Sequence, residues 1–269
     1  MNDLEAFIQL AQALAPWRGK LVFVGGWAHR LHRLHPRATP QAHQPVFTRD
    51  TDLAFSAAEP IEGDMKAALE GHGFKEQFSG ELKPPVTHYS LGQQDKGFYA
   101  EFLTPLAGSG FKRGGQPDAT LSKAGVIAQK IRHLDILLVD PWVVNLNPQN
   151  APLKAPLDVQ VANPLAFMVQ KFLIQSHRPA KKRAQDILYI FDTVGLFATQ
   201  LEAFQTMWEA IIGPALGKSR DEVLKLNEQT FSKLTDDVRN AALIPQDRKI
   251  SAEEIRSTCQ FAFEQVFRL

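Results

Sequence analysis

The chain has 269 residues, with 30 basic against 29 acidic side chains and 44% apolar content. That length supports one large domain or two modest ones with a sizeable core, and near-neutrality excludes a general, non-specific nucleic-acid coat while leaving room for a local basic patch. The single cysteine, Cys259, excludes an internal disulfide framework and a cysteine-rich zinc site, and it fits a reducing compartment.

In chain order, the N-terminus reads as an amphipathic helix (Leu4, Phe7, Ile8, Leu10, Ala11, Leu14). Asp3 and Glu5 stand where a signal peptide would be basic. A short apolar strand, Leu21–Val24, runs into Gly25-Gly26 and a helix through Ala28, Leu31 and Leu34, which Pro36 and Pro40 end. The Pro-rich segment His35–Pro45 is a loop, followed by a strand over Asp52–Phe55 and a helix around Met65 and Leu69 closed by Gly71 and Gly73. Phe74–Phe78, Thr87–Leu91 and Phe98–Leu103 alternate like a meander that extends the sheet. Gly108–Gly115 is a surface loop without phosphate-loop spacing, and Ile136–Val139 with Trp142–Leu146 reads as a further strand pair.

From Asn163 the apolar period turns helical and stays so, with later helices over about Asp221–Leu226, Glu228–Ala242 and Ser251–Phe267. The expected fold is α+β: a mixed sheet with flanking helices over residues 1–160, then an all-α domain over 161–269. Cys259 falls in the last helical pattern, where it reads as a small core hydrophobe. No stretch reaches the roughly 18–20 apolar residues that cross a membrane, so a soluble, cytoplasmic protein with no membrane partner is expected.

The chemistry concentrates in one place. Asp50 and Asp52 are two apart on a strand and so share a face, beside a Gly-Gly turn whose backbone can approach a ligand closely. A carboxylate pair of this kind holds Mg²⁺ against a nucleoside triphosphate. Glu101 sits inside the apolar run Phe98-Tyr99-Ala100-Glu101-Phe102-Leu103, and glutamate is disfavoured in strands, so it is the candidate third carboxylate. An outward-facing residue on an edge strand is the plainer alternative. Arg49 adjoins Asp50 and is the better candidate than Arg30 for neutralising phosphate. His29, His32 and His35 recur at spacing three and read as exposed histidines near a phosphate site rather than zinc ligands.

Gly25-Gly26, Asp50, Asp52 and Glu101, in that order, resemble the signature of the nucleotidyltransferase superfamily of the DNA polymerase β type. Two departures stand out: 24 positions separate Gly26 from Asp50, the excess lying in the His35–Pro45 loop, and Thr51 replaces a large aliphatic residue. The resemblance implies a nucleotidyltransferase-fold catalytic domain that moves a nucleoside monophosphate from an NTP to an acceptor hydroxyl and releases pyrophosphate. Asp50, Asp52 and Glu101 would be both catalytic residues and ligands of two Mg²⁺ ions, with Mn²⁺ as a substitute. Glu101 would accept the acceptor's proton, and the Gly25-Gly26 turn would cradle phosphates through backbone N–H groups.

A second segment, Asn163–Leu173 with Arg178, Lys181-Lys182-Arg183 and Asp186-Ile187-Leu188, resembles bacterial nucleotidyltransferase-like proteins that include the type IV (abortive-infection) toxins. That resemblance implies Lys171 and Lys182 on the triphosphate, Arg178 on the same face as Lys171 if the helix is continuous, and Asp186 orienting a base or supporting the site. Lys182 and Asp186 stand at helical i,i+4 spacing. The implied acceptor is an RNA end such as that of tRNA, a protein or a small molecule, with RNA favoured by the basic cluster, and the toxin members imply an antitoxin partner. Three alternatives stay open at this point: a solvated charged helix end at His177–Arg183, a catalytically silent nucleotide-binding or protein-interaction module on the same fold, and an α/β hydrolase that releases phosphate.

Overall fold

The computed structural model describes residues 3–46, 48–79, 86–92 and 97–268, so Met1 and Asn2 of the opening segment lie outside the described residues. The chain separates into two compact units: residues 1–34 with 47–162, and residues 35–46 with 163–269. No single helix among the described residues is long and apolar enough to cross a membrane.

Among the described residues, the first unit is a mixed nine-stranded sheet with three α-helices. Its elements are α1 (Asp3–Ala13), β1 (Val22–Val24), α2 (Gly25–His32), β2 (Asp50–Ala54), α3 (Met65–Gly71), β3 (Lys75–Ser79), β4 (Val86–Leu91), β5 (Phe98–Pro105), β6 (Thr120–Lys123), β7 (Val126–Ile131), β8 (Trp142–Leu146) and β9 (Leu157–Val161). The main path runs β3-β4-β5-β2-β1-β9-β8, with β7 pairing alongside β5 and β6 alongside β7. In the middle, β2 pairs antiparallel with β1 and parallel with β5.

Period-two patterning sets the two faces of these central strands. Thr51, Leu53, Ala100 and Phe102 are buried, while Asp50, Asp52, Tyr99 and Glu101 alternate with them on the opposite, half-open face. An aromatic cluster closes the core. The Phe7 ring stacks on Trp27 at 4.2 Å, and Trp27 meets Phe98 edge-on at 5.8 Å. Each such fully buried side chain contributes about 1.5–3 kcal/mol of transfer free energy.

The second unit is helical: α4 (Pro164–Ile174), α5 (Ala180–Leu196), α6 (Leu201–Met207), α7 (Gly213–Leu216), α8 (Arg220–Phe231), α9 (Asp236–Ala242) and α10 (Ala252–Phe267). Asn163 caps α4 by accepting the Ala166 N–H at 2.8 Å, and Pro164 occupies the first turn, where its missing N–H costs nothing. Every residue of α4 is buried, so it is the central helix of the unit. Phe172, Phe231 and Phe263 meet around it, with Phe172 5.2 Å from Phe263 and 6.1 Å from Phe231.

Several expectations need correction. Ile136 and Leu137 lie in a short 3-10 turn (Asp135–Leu138) with both side chains buried, so only Trp142–Leu146 of that proposed pair is a strand. Its partner is β9, and β6 pairs antiparallel with β7, two pairings that the local sequence pattern does not mark. The helix expected over Glu228–Ala242 is broken, since α8 ends at Phe231 and Thr235 caps a new helix. The His35–Pro45 loop is an excursion that folds with the helices. Thr39 N–H donates to Leu196 O at 2.7 Å, and Gln44 N–H donates to Asp247 Oδ2 at 2.7 Å.

Candidate active site

The residues of the motif come from two neighbouring strands, β2 and β5, and the turn that follows β1. Val24 pairs with Asp52, and Asp52 pairs in register with Glu101. Asp50 pairs with Tyr99 on the same face. Adjacent strands lie about 4.8 Å apart, so Asp50, Asp52 and Glu101 form a tight triangle of backbone positions.

Gly25 fixes one corner. Its φ is +63°, and a Cβ built there would lie 2.1 Å from Asp52 Oδ2. Only glycine allows the Asp52 carboxylate to lean against the start of α2 in this way. The first turn of α2 has no side-chain cap, which leaves its backbone N–H groups and the positive end of its dipole for an anion. Gly26 and Gly25 are both half-buried there.

At another corner, Thr48 donates its hydroxyl hydrogen to Asp50 Oδ1 and so orients that carboxylate. Glu101 is held above the usual carboxylate range, first by burial and then by the Asp50 charge beside it. Tyr99 is pushed up to about 12 by burial and by the charges of Asp50, Glu101 and Asp52, with Arg49 opposing. Arg49 is exposed and its charge is felt within this cluster. The Arg30 guanidinium instead lies over the Trp27 ring, 4.0 Å from its centroid.

The donor set fits a hard divalent cation: carboxylate oxygens only, on adjacent strands, with one mutual repulsion that a cation would relieve. Among the described residues, no three His, Cys, Asp or Glu side chains are drawn in to metal-holding spacing.

Beyond Glu101 the same row continues outward across the sheet, to His88 on β4 and Gln77 on β3. His88 Nε2 lies 2.8 Å from Gln77 Oε1, and the ring meets Tyr99 edge-on at 5.5 Å. Burial lowers the His88 pKa, which favours the neutral ring. Neither His88 nor Gln77 figured among the sequence candidates, although the alternation of Thr87–Leu91 places His88 and Ser90 opposite to the buried Tyr89.

The histidines after the glycines read differently in the structure. His29 and His32 are fully buried, not exposed, and His32 Nε2 bonds to Ala162 O at 2.7 Å. His35 lies beyond the end of α2.

In the helical unit the expected cations meet Asp186. Lys171 Nζ stands 2.7 Å from Asp186 Oδ1, with both side chains about 95% buried, and Arg178 Nε stands 3.5 Å from Oδ2. Lys171 also lies over the Phe167 and Tyr189 rings, so its ammonium is committed to a buried internal pair. The helix is not continuous from Lys171 to Arg178: α4 ends at Ile174 and Arg178 is extended ahead of Pro179. The i,i+4 partnership of Lys182 with Asp186 gives way to these two pairs, and Lys182 is exposed.

A mixed sheet that brings a glycine turn, an Asp-x-Asp strand and a third in-register carboxylate onto one face has the layout of a nucleotidyltransferase. A family model described as nucleotidyltransferase matches residues 2–213, and the chain belongs to that family. No curated protein matches it in a sequence comparison.

Proposed function

We propose that this nucleotidyltransferase moves a nucleoside monophosphate from an NTP to an acceptor hydroxyl at the Asp50–Asp52–Glu101 face and releases pyrophosphate. The observation that carries the reading is the register Asp52↔Glu101 beside Gly25, within a chain of the nucleotidyltransferase family. Asp50, Asp52 and Glu101 would hold Mg²⁺, which when bound supplies charge neutralisation at the phosphate oxygens.

The chain's own groups account for the rest. The backbone N–H groups opening α2 hold phosphate oxygens, and Arg49 offsets their charge. Glu101 takes the acceptor's proton as the acceptor oxygen bonds to the α-phosphorus. The bond from the α-phosphorus to the bridging oxygen breaks, and pyrophosphate leaves with the electron pair.

Lys181 and Lys182 are exposed on the first turn of α5, at the positive end of its dipole, an unfavourable placement that phosphate would relieve. They support RNA as the acceptor. The toxin-like segment extends the proposal to an antitoxin partner. Incubation with α-labelled NTPs, Mg²⁺ and total RNA tests the reading: label should enter an acceptor with the wild type and not with Asp52→Ala. Transfer that survives in Asp52→Ala refutes the assignment, and NTP binding without transfer identifies a silent module instead.

A further inference from the structure

The row of side chains across the sheet runs Gln77, His88, Glu101, Asp52, and then Val24 leading into Gly25. Displacement at phosphorus places the attacking and leaving oxygens in line, on opposite sides of the α-phosphorus. With the leaving phosphates at the Gly25 end of the row, the acceptor must approach from the other end, over β4. The first residue there is His88, next to Glu101 in register.

The ring is prepared for one task. An amide oxygen can only accept, so the contact to Gln77 Oε1 makes Nε2 the donor and leaves the lone pair on Nδ1. Tyr99 fixes the ring plane from its edge. His88 is half-buried and open enough to be reached.

We propose that His88 is an acceptor-positioning residue: its Nδ1 accepts a hydrogen bond from the acceptor molecule and sets the attacking hydroxyl against Glu101. Gln77 holds the tautomer that makes this possible. The inference rests on the transfer reaction proposed above, and it adds a direction of approach and a recognition group that the three carboxylates do not supply.

Steady-state transfer with labelled NTP, Mg²⁺ and total RNA, using the full chain, tests it. His88→Ala should lower kcat/KM for the RNA by about 10- to 100-fold while KM for the NTP stays within about twofold of wild type. His88→Asn, whose Oδ1 takes the place of Nδ1, should recover most of that loss, and Gln77→Leu should share part of it. An unchanged kcat/KM for RNA in His88→Ala overturns the inference. So does an equal loss on the NTP side, or failure of His88→Asn to recover activity while its melting temperature matches wild type. A wild-type chain that transfers to no acceptor refutes the reaction itself and this inference with it; transfer that ignores His88 refutes the inference alone.

Discussion

Replacing Gly25 with alanine should separate the backbone and side-chain demands of the site. At φ +63° a non-glycine residue costs about 1–2 kcal/mol, which for a protein of this size lowers the melting temperature by roughly 2–8 °C. The added methyl carbon would also stand 2.1 Å from Asp52 Oδ2 and 3.2 Å from its Cγ. Ordinary contact needs about 3.5 Å, so the Asp52 carboxylate must retreat by more than about 1 Å. A displacement of that size at a reacting centre costs about 100-fold in rate. Gly25→Ala should therefore retain its fold and lose about two orders of magnitude of transfer, measured by label incorporation below the melting temperature. Asp52→Ala removes the clashing carboxylate, so in that background Gly25→Ala should cost only its backbone share of stability, a coupling that a double-mutant cycle reads directly. Gly19→Ala, with no atom within 4 Å of the added carbon, is the matched control and should shift stability by less than about 0.5 kcal/mol. Full transfer activity in Gly25→Ala would refute the argument that Asp52 must sit against this glycine.

Glu101→Gln should melt higher than wild type at pH 7–8 in EDTA. The folded-state pKa of Glu101 lies above its ordinary 4.5, so the folded state binds more protons than the unfolded one just above pH 4.5, and wild-type stability falls as pH rises through that window. The advantage of the variant should vanish on acidification below it, and a pH-independent difference would contradict the burial and Asp50 charge invoked here. Lys171→Met should lower the unfolding free energy by about 3 kcal/mol in urea titration, because it strands the buried Asp186 with only the longer Arg178 contact. Lys171→Met combined with Asp186→Leu should recover a large part of that loss. Cys259 is fully buried and its thiol is raised by burial and by the Asp192 charge, so a thiol reagent should modify it only at the rate of unfolding.

Much of the carboxylate face was legible because its signals are local. Asp50 and Asp52 obey the two-residue period of a strand, and Glu101 stood out as a charge inside an apolar run. The switch to helix at Asn163 was equally plain, since a cap, a proline and a three-to-four period coincide there. What escaped was written in non-local terms. β6 and β7 are short and carry polar side chains such as Ser122, Gln129 and Lys130, so their pairing shows only in register. Ile136–Val139 looked like a strand by composition, yet its burial is achieved by a turn ahead of Pro141. The partners of Asp186 come from across the helix break at Pro179, which a spacing rule along one helix cannot see. His88 joins the site through two strand pairings and no motif.

The Pro-rich excursion has a consequence for how the protein is made. It leads from the helix after the glycines to the strand bearing Asp50, yet its anchors, Gly195 O (accepting from Gln41 Nε2 at 3.2 Å) and Asp247 Oδ2 (accepting from Gln44 N–H), follow their partners by 154 and 203 positions. On the ribosome, the nascent chain exposes the whole Gly-Asp-Asp-Glu signature long before those anchors emerge. A prematurely terminated product would carry all three candidate catalytic carboxylates, with Asp50 and Asp52 on a strand whose lead-in has nothing to dock on. Docking of the excursion thereby waits on synthesis of the helical unit.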